Sequence, residues 1–188
     1  GISRKGEWFR FNGDIDKIKS DIWCNDFDCT PAVLSTNHLA PSLLLIANDR
    51  IRREPIDVLF PVLHGKYGED GTVQGIAELT GIPLAGSGVL SSALCMDKER
   101  AHKLVQSGGI LVPKFTTAGY DYKRGDLLRE ASDIGYPVFF KPVKAGSSFG
   151  ASRILSSADL IPAVEFALRY DDRVIIEENI TGKEVACA

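Results

Sequence analysis

One stretch leaves this chain little freedom in how it folds. Ile56-Asp57-Val58-Leu59-Phe60-Pro61-Val62-Leu63 is nearly all apolar and β-favouring, which suits a central parallel strand buried on both faces. It runs straight into His64-Gly65-Lys66-Tyr67-Gly68-Glu69-Asp70-Gly71. A helix is expected next, with Val73, Ile76, Ala77 and Thr80 on one face and Gly81 at its end, followed by a short strand at Pro83-Leu84-Ala85. Strand, loop, helix and strand in that order indicate an α/β layer. Upstream the signals thin out. Trp8-Phe9-Arg10-Phe11 before Asn12-Gly13 reads as a strand and turn, and Leu43-Leu44-Leu45-Ile46 as either a strand or a buried helix.

Downstream the pattern changes. A long helix is expected over residues 91–106, stopping at Ser107-Gly108-Gly109. Then come a strand (114–118), a helix (125–134), a strand (137–141), a glycine loop, a strand (152–155), a helix (157–169) and a strand (173–178). The expected fold is therefore α/β: a Rossmann-like parallel-sheet unit followed by an α+β unit. At 188 residues with 44% hydrophobic content, the chain can bury a core. A net charge of −3 lacks the basic excess that would point to nucleic acid. No apolar run approaches the roughly 20 residues needed to cross a bilayer. The start at Gly1 shows neither an initiator Met nor an apolar signal core and reads as internal. Cys24, Cys29, Cys95 and Cys187 are scattered without a CxxC pair, so free thiols in a cytoplasmic setting are expected.

Three segments carry chemistry. Phe140-Lys141-Pro142-Val143-Lys144-Ala145-Gly146-Ser147-Ser148-Phe149-Gly150 is glycine-rich and joins two strands, unlike a Walker loop, which ends in Gly-Lys-Ser/Thr and opens a helix. Such a hairpin can close over a polyphosphate, with backbone N–H groups toward the anion. Lys141 ends an apolar strand, where an ammonium needs an anionic partner. A surface hairpin with a snorkelling lysine fits the segment alone equally well. Val174-Ile175-Ile176-Glu177-Glu178-Asn179-Ile180-Thr181-Gly182-Lys183-Glu184 runs from an apolar strand into acids that could accept from an adenine amino group or ribose hydroxyls, or simply be solvated. His64 stands where open α/β sheets bind ligands, and Asp70 reads as a helix cap.

These segments, with Cys95-Met96-Asp97-Lys98 between them, resemble the D-alanine–D-alanine ligases of the ATP-grasp superfamily in order and spacing. That family shows HGxxGEDGxxQGxxExxGIPxxGSG, then SxxxMDK, KPxxxGSSxG and an acidic ExxxxGxE. Here the first runs from His64 to Gly88 and includes Gln74, Gly75, Glu78, Gly81 and Pro83. The resemblance covers about residues 56–188. Phe149 and the opening Gly-Ile-Ser-Arg-Lys-Gly-Glu-Trp are similar to the vancomycin-resistance branch, which can join D-alanine to D-serine or D-lactate.

The resemblance implies an N-terminal substrate-side domain over 1–89, a central ATP-grasp domain over 90–176, and at 177–188 a hinge and the beginning of a C-terminal domain. It places Lys98 and Lys141 on the ATP phosphates, with Gly146, Ser147, Ser148 and Gly150 closing over them. Glu177 would take the adenine amino group, Asn179 and Ile180 would give backbone contacts to the ring, and Glu184 would bind the ribose. His64 would help hold the first D-alanine, with Ser147 in a hydrogen-bonded cluster near its amine. ATP with Mg²⁺ or Mn²⁺, D-alanine and D-serine, and homodimerisation of the full-length protein are the implied partners, and peptidoglycan synthesis the implied setting. The metal-binding acids would follow Ala188, so residues 1–188 alone are expected to be inactive. The alternatives are another ATP-grasp carboxylate–amine ligase, against which HGxxGEDG and MDK together argue, and a nucleotide-binding module without catalysis. Lys141→Ala is expected to impair ATP use with the fold largely intact.

Overall fold

The computed structural model describes residues 1–25, 27–146, 150–183 and 185. The chain forms two compact units, each drawn from two stretches of sequence. The first combines Gly1–Pro61 with Gln74–Ser87, the second Val62–Val73 with Gly88–Ala188.

The first unit is built on an antiparallel meander of β1 (Phe9–Phe11), β2 (Cys29–Leu34), β3 (Ser42–Ala47) and β4 (Arg50–Pro55), in that order across the sheet. A short α1 (Ile15–Lys19) follows β1, capped by the Asp14 side chain accepting from the Asp16 amide. Ala32 and Leu45 pair in register and are both buried. The tight β3–β4 turn is made by Asn48 and Asp49, with φ of +49° and +58°, the left-handed pair that a two-residue hairpin demands and these residue types tolerate. Strand β4 carries Arg50, Arg52, Arg53 and Glu54 along an exposed edge, where charge blunts further pairing. The helix expected after the His64 loop is α2 (Thr72–Thr80), which buries Val73, Gln74, Ala77 and Thr80.

Residues 56–63 do not form the extended parallel strand expected of them. Parallel pairing is confined, among the described residues, to one bridge between Leu59 and Leu84, with the Leu59 amide donating to Pro83 O and the Ala85 amide to Leu59 O, both at 2.8 Å. The next ladder bonds in either direction would need N–H groups from Pro61 and Pro83, and proline has none. Val58, Phe60 and Val62 are exposed rather than buried. The first unit is thus helix and strand together, as expected, but its sheet is antiparallel.

In the second unit the expected long helix is two: α3 (Val89–Met96) and α4 (Lys98–Ser107). The chain leaves helical geometry at Asp97 (φ −87°, ψ 99°), whose carboxylate accepts from the Arg100 amide at 2.9 Å and pairs with the Arg100 guanidinium. An aspartate at this position caps a new helix better than it continues the old one. Beyond lie β5 (Phe115–Gly119), α5 (Arg124–Ile134), β6 (Val138–Pro142), β7 (Ser152–Ile154), α6 (Ser157–Ala167) and β8 (Arg173–Glu178). The strands form an antiparallel sheet ordered β5-β8-β6-β7.

Strand periodicity gives this sheet two unlike faces. One places Val138, Phe140, Val174, Ile176 and Ala118 against Leu127 and Ala131 of α5 and Leu160, Ile161 and Val164 of α6, a continuous buried core. The other carries Phe115, Thr117, Phe139, Lys141, Arg173, Ile175 and Glu177, set together by the pairings Phe115↔Glu177, Phe139↔Glu177 and Lys141↔Ile175. Residues of α4 meet this second face.

Candidate functional site

The break at Asp97 makes Lys98 the first residue of α4, and its backbone amide donates to Val143 O at 3.2 Å, fastening the helix start to the strand end. The Lys98 ammonium donates to Ala145 O at 2.7 Å and Val143 O at 3.3 Å. Burial lowers its pKa, and the nearby charge of Lys141 lowers it further, against the opposing pull of Glu177, Asp171 and Asp97. Lys98 and Lys141 thus lie close enough for one charge to act on the other, with the carboxylates of Glu177, Asp171 and Asp97 around them.

Lys141 sits near the end of β6, and its ammonium donates to Glu177 Oε2 on the neighbouring β8 at 2.6 Å. Glu177 is only 4% exposed, so the anionic partner that a strand-end lysine requires is internal. Its other oxygen, Oε1, is buried without a hydrogen bond among the described residues and lies 3.7 Å from His102 Nε2. Further along, buried Glu99 accepts from Lys103 on Oε1 at 2.6 Å and forms an ion pair with Arg173 through Oε2 at 2.7 Å. Arg173 also donates to the Thr117 hydroxyl at 2.8 Å. Two groups of ion pairs, Glu99 with Lys103 and Arg173 and Glu177 with Lys141, thus lie at the sheet's second face beside Phe115, Phe139 and Ile175.

The glycine hairpin leaves β6 directly. Lys144 donates from its backbone to Asp171 at 2.6 Å and from its ammonium to both oxygens of Asp172 at 3.0 Å. A β-carbon on Gly146 would lie 3.1 Å from the Gly65 Cα, and one on Gly150, at φ +74°, 3.0 Å from Pro142. Glycine at 146 thus lets the hairpin and the His64–Gly71 loop touch backbone to backbone. That loop is braced from within: the Gly65 amide donates to the Glu69 carboxylate, and Asp70 accepts from Tyr67 at 2.8 Å and Thr72 at 3.1 Å. Although burial alone pushes Asp70 up, its hydrogen bonds from the Thr72 side chain and from backbone amides hold its pKa below the usual value. Asp70, expected as a helix cap, lies two residues before α2 and braces the loop against its first amide instead of occupying the N-cap position. His64 is exposed beside this contact.

The structure brings Lys98, Lys141 and Glu177 together, and places Gly146 against the His64 loop. Asn179 and the exposed Ile180 follow β8 directly. Ser147, Ser148 and Glu184 lie outside the described residues. A cleft of about 880 Å³ in the same unit is lined by Lys66, Asp70, Arg100, Tyr120, Lys144 and Asp171 among others, but by none of Lys98, Lys141 or Glu177. Sequence reading passed over His102, Glu99 and Arg173. The usable signal was helical spacing: His102 follows Lys98 by four residues and so shares its face. Among the described residues no three His, Cys, Asp or Glu side chains are grouped to hold a metal ion. No helix among them is long and apolar enough to cross a membrane.

Residues 1–87 match the family model described as D-ala D-ala ligase N-terminus, and residues 104–188 the one described as D-ala D-ala ligase C-terminus. The chain is 44% identical over 188 residues to a putative D-alanine–D-lactate ligase of Streptomyces coelicolor, and 42% identical to the vancomycin B-type resistance protein VanB of Enterococcus faecalis, all of this chain aligning with 51% and 52% of theirs. Among solved structures, that of the VanG D-Ala:D-Ser ligase from Enterococcus faecalis superposes with a TM-score of 0.86 at 46% identity, over 97% of this chain and 52% of that one. The chain spans about half the length of the curated relatives it matches. With both family models accounting for nearly all of its length, the chain belongs to the D-alanine–D-alanine ligase family.

Proposed function

We propose that the protein carrying this chain is an ATP-dependent ligase that joins D-alanine to a second D-residue for peptidoglycan precursors. A carboxylate oxygen of the first D-alanine attacks the γ-phosphorus, the bond to the β,γ-bridging oxygen breaks, and ADP leaves. The amine of the second substrate then attacks the acylphosphate carbonyl, phosphate leaves and a proton is lost. When the second substrate is D-lactate, its hydroxyl is the nucleophile. The observation that carries this reading is the convergence of Lys98 and Lys141 beside a glycine hairpin. Fixed cations stabilise a transferring phosphoryl group without reorganising as the reaction proceeds.

In this reading Lys98 and Lys141 hold the phosphates, and Gly146, Ser147, Ser148 and Gly150 close over them and keep water from the acylphosphate. Glu177 accepts from the adenine amino group, Asn179 and Ile180 offer backbone contacts, and Glu184 takes the ribose. His64 contacts the first D-alanine, beside Ser147. Mg²⁺ or Mn²⁺ belongs to the same reading, and no step here is assigned to it. A cytoplasmic homodimer is the expected form. The relatives' names extend from D-alanine–D-alanine to D-alanine–D-lactate and D-Ala:D-Ser ligases, so the second substrate is decided by assay. The full-length protein is given ATP, D-alanine and, in turn, D-alanine, D-serine or D-lactate, with phosphate release and product mass recorded. D-alanine-dependent phosphate release with a matching condensation product is expected; ATP consumption indifferent to D-alanine overturns the reading.

A further inference from the structure

His102 has no part in the roles given above, yet it stands at their centre. It lies one turn beyond Lys98 on α4, and its ring meets Phe115 edge-on, with centroids 5.2 Å apart and planes at 67°. Phe115 and Glu177 are paired across β5 and β8, so one strand pair fixes both the ring's support and the carboxylate it faces. His102 Nε2 is 3.7 Å from Glu177 Oε1. That oxygen and His102 Nδ1 are both buried and without a hydrogen bond among the described residues. A buried carboxylate oxygen lacking a donor is costly. An approach of about half an ångström would bring Nε2 within hydrogen-bonding range.

The two oxygens of Glu177 are therefore unequal. Oε2 carries Lys141, a cation that a bound polyphosphate would draw toward itself, and so it is the oxygen that becomes available. Oε1 has the imidazole 3.7 Å away and no hydrogen bond among the described residues. We propose that His102 is a positioning residue for Glu177: it fixes Oε1, so that Oε2 alone is presented to the exocyclic amino group of the nucleotide's adenine. This rests on the reading of Glu177 as the adenine acceptor. Without the imidazole the carboxylate is free to rotate about its last torsion, and the orientation that distinguishes an amino group from a hydrogen at that ring position is lost.

The test uses the full-length protein with ATP and with purine riboside 5′-triphosphate, which lacks the amino group, measuring kcat and KM for each. The wild type is expected to favour ATP. His102→Phe keeps a ring against Phe115 but has no donor. It is expected to raise the KM for ATP about tenfold, the worth of one hydrogen bond to a charged group, leaving the KM for the analogue and both kcat values near wild type. His102→Gln, whose amide nitrogen reaches about as far as Nε2, is expected to restore most of the selectivity. His102→Asn, whose amide stops short, is the second probe and is expected to behave like H102F. A selective wild type whose H102F and H102N variants stay selective, or lose affinity for both nucleotides alike, overturns the role of His102 alone. A wild type indifferent to the amino group overturns the adenine reading of Glu177, and this proposal with it.

Discussion

Because Glu177 is buried and bonded to Lys141, replacing the lysine does more than remove the phosphate contact proposed for it. In the full-length protein Lys141→Met is expected to weaken ATP use and also to destabilise the fold by about 2–3 kcal/mol, somewhat less than a fully buried pair because Lys141 reaches solvent. The added change Glu177→Gln should restore most of that stability but not ATP use, as urea melts beside ATP kinetics would show. The expectation that Lys141 could be truncated with the fold largely intact is revised on this ground. Its position at the end of an apolar strand was legible in the sequence, but its partner, 36 residues away on another strand, was not. A second prediction concerns Asp171, which burial pushes upward, aided by the adjacent Asp172. A carboxyl with a raised folded pKa contributes stability below its unfolded pKa and loses it as pH rises through the folded value. Asp171→Asn removes that loss. The variant should gain on wild type in urea midpoint between acidic and neutral pH, with the difference vanishing in acid.

At the scale of elements, capping decides where chain direction changes. Asp97 is 4% exposed and starts α4 where pattern alone would run one helix through. Asp97→Ala should cost about 1–2 kcal/mol in urea melts, while Asp97→Asn, which can cap equally well, should stay within about 0.5 kcal/mol of wild type. The elements of the second unit were legible because glycines and prolines punctuate strong apolar periods there. In the first, β1, β3 and α2 carry such signals, but β2 and β4 do not. Strand β4 is mostly charged, and β2 contains Pro31, so neither shows the alternation that marks a half-buried strand. The parallel strand over residues 56–63 was over-read because its composition outweighed Pro61 and Pro83, the residues that end its ladder.

For the molecule as a whole, the two units differ in what they bury. The second has a continuous apolar cluster around Phe140 and Leu160. In the first, few apolar side chains are fully buried, Ala32, Leu45, Ala77 and Ile82 among them. Amide exchange should therefore be slower in β6 and β8 than in β2 and β3. Phe140→Ala should lower the stability of the second unit by about 3–5 kcal/mol, read as faster exchange in β6 and β8.

Neither unit is a single run of sequence: residues 62–73 belong with chain that begins at Gly88, and residues 74–87 with chain that ends at Pro61. During synthesis the first unit can assemble as soon as Ser87 has left the ribosome. The His64 loop emerges earlier than that, yet must wait for Gly146 before the backbone it packs against exists. A gene fragment opening at residue 88 would make a protein with its glycine hairpin and no loop to meet it. Any attempt to swap the second unit between relatives therefore has to carry residues 62–73 across with it.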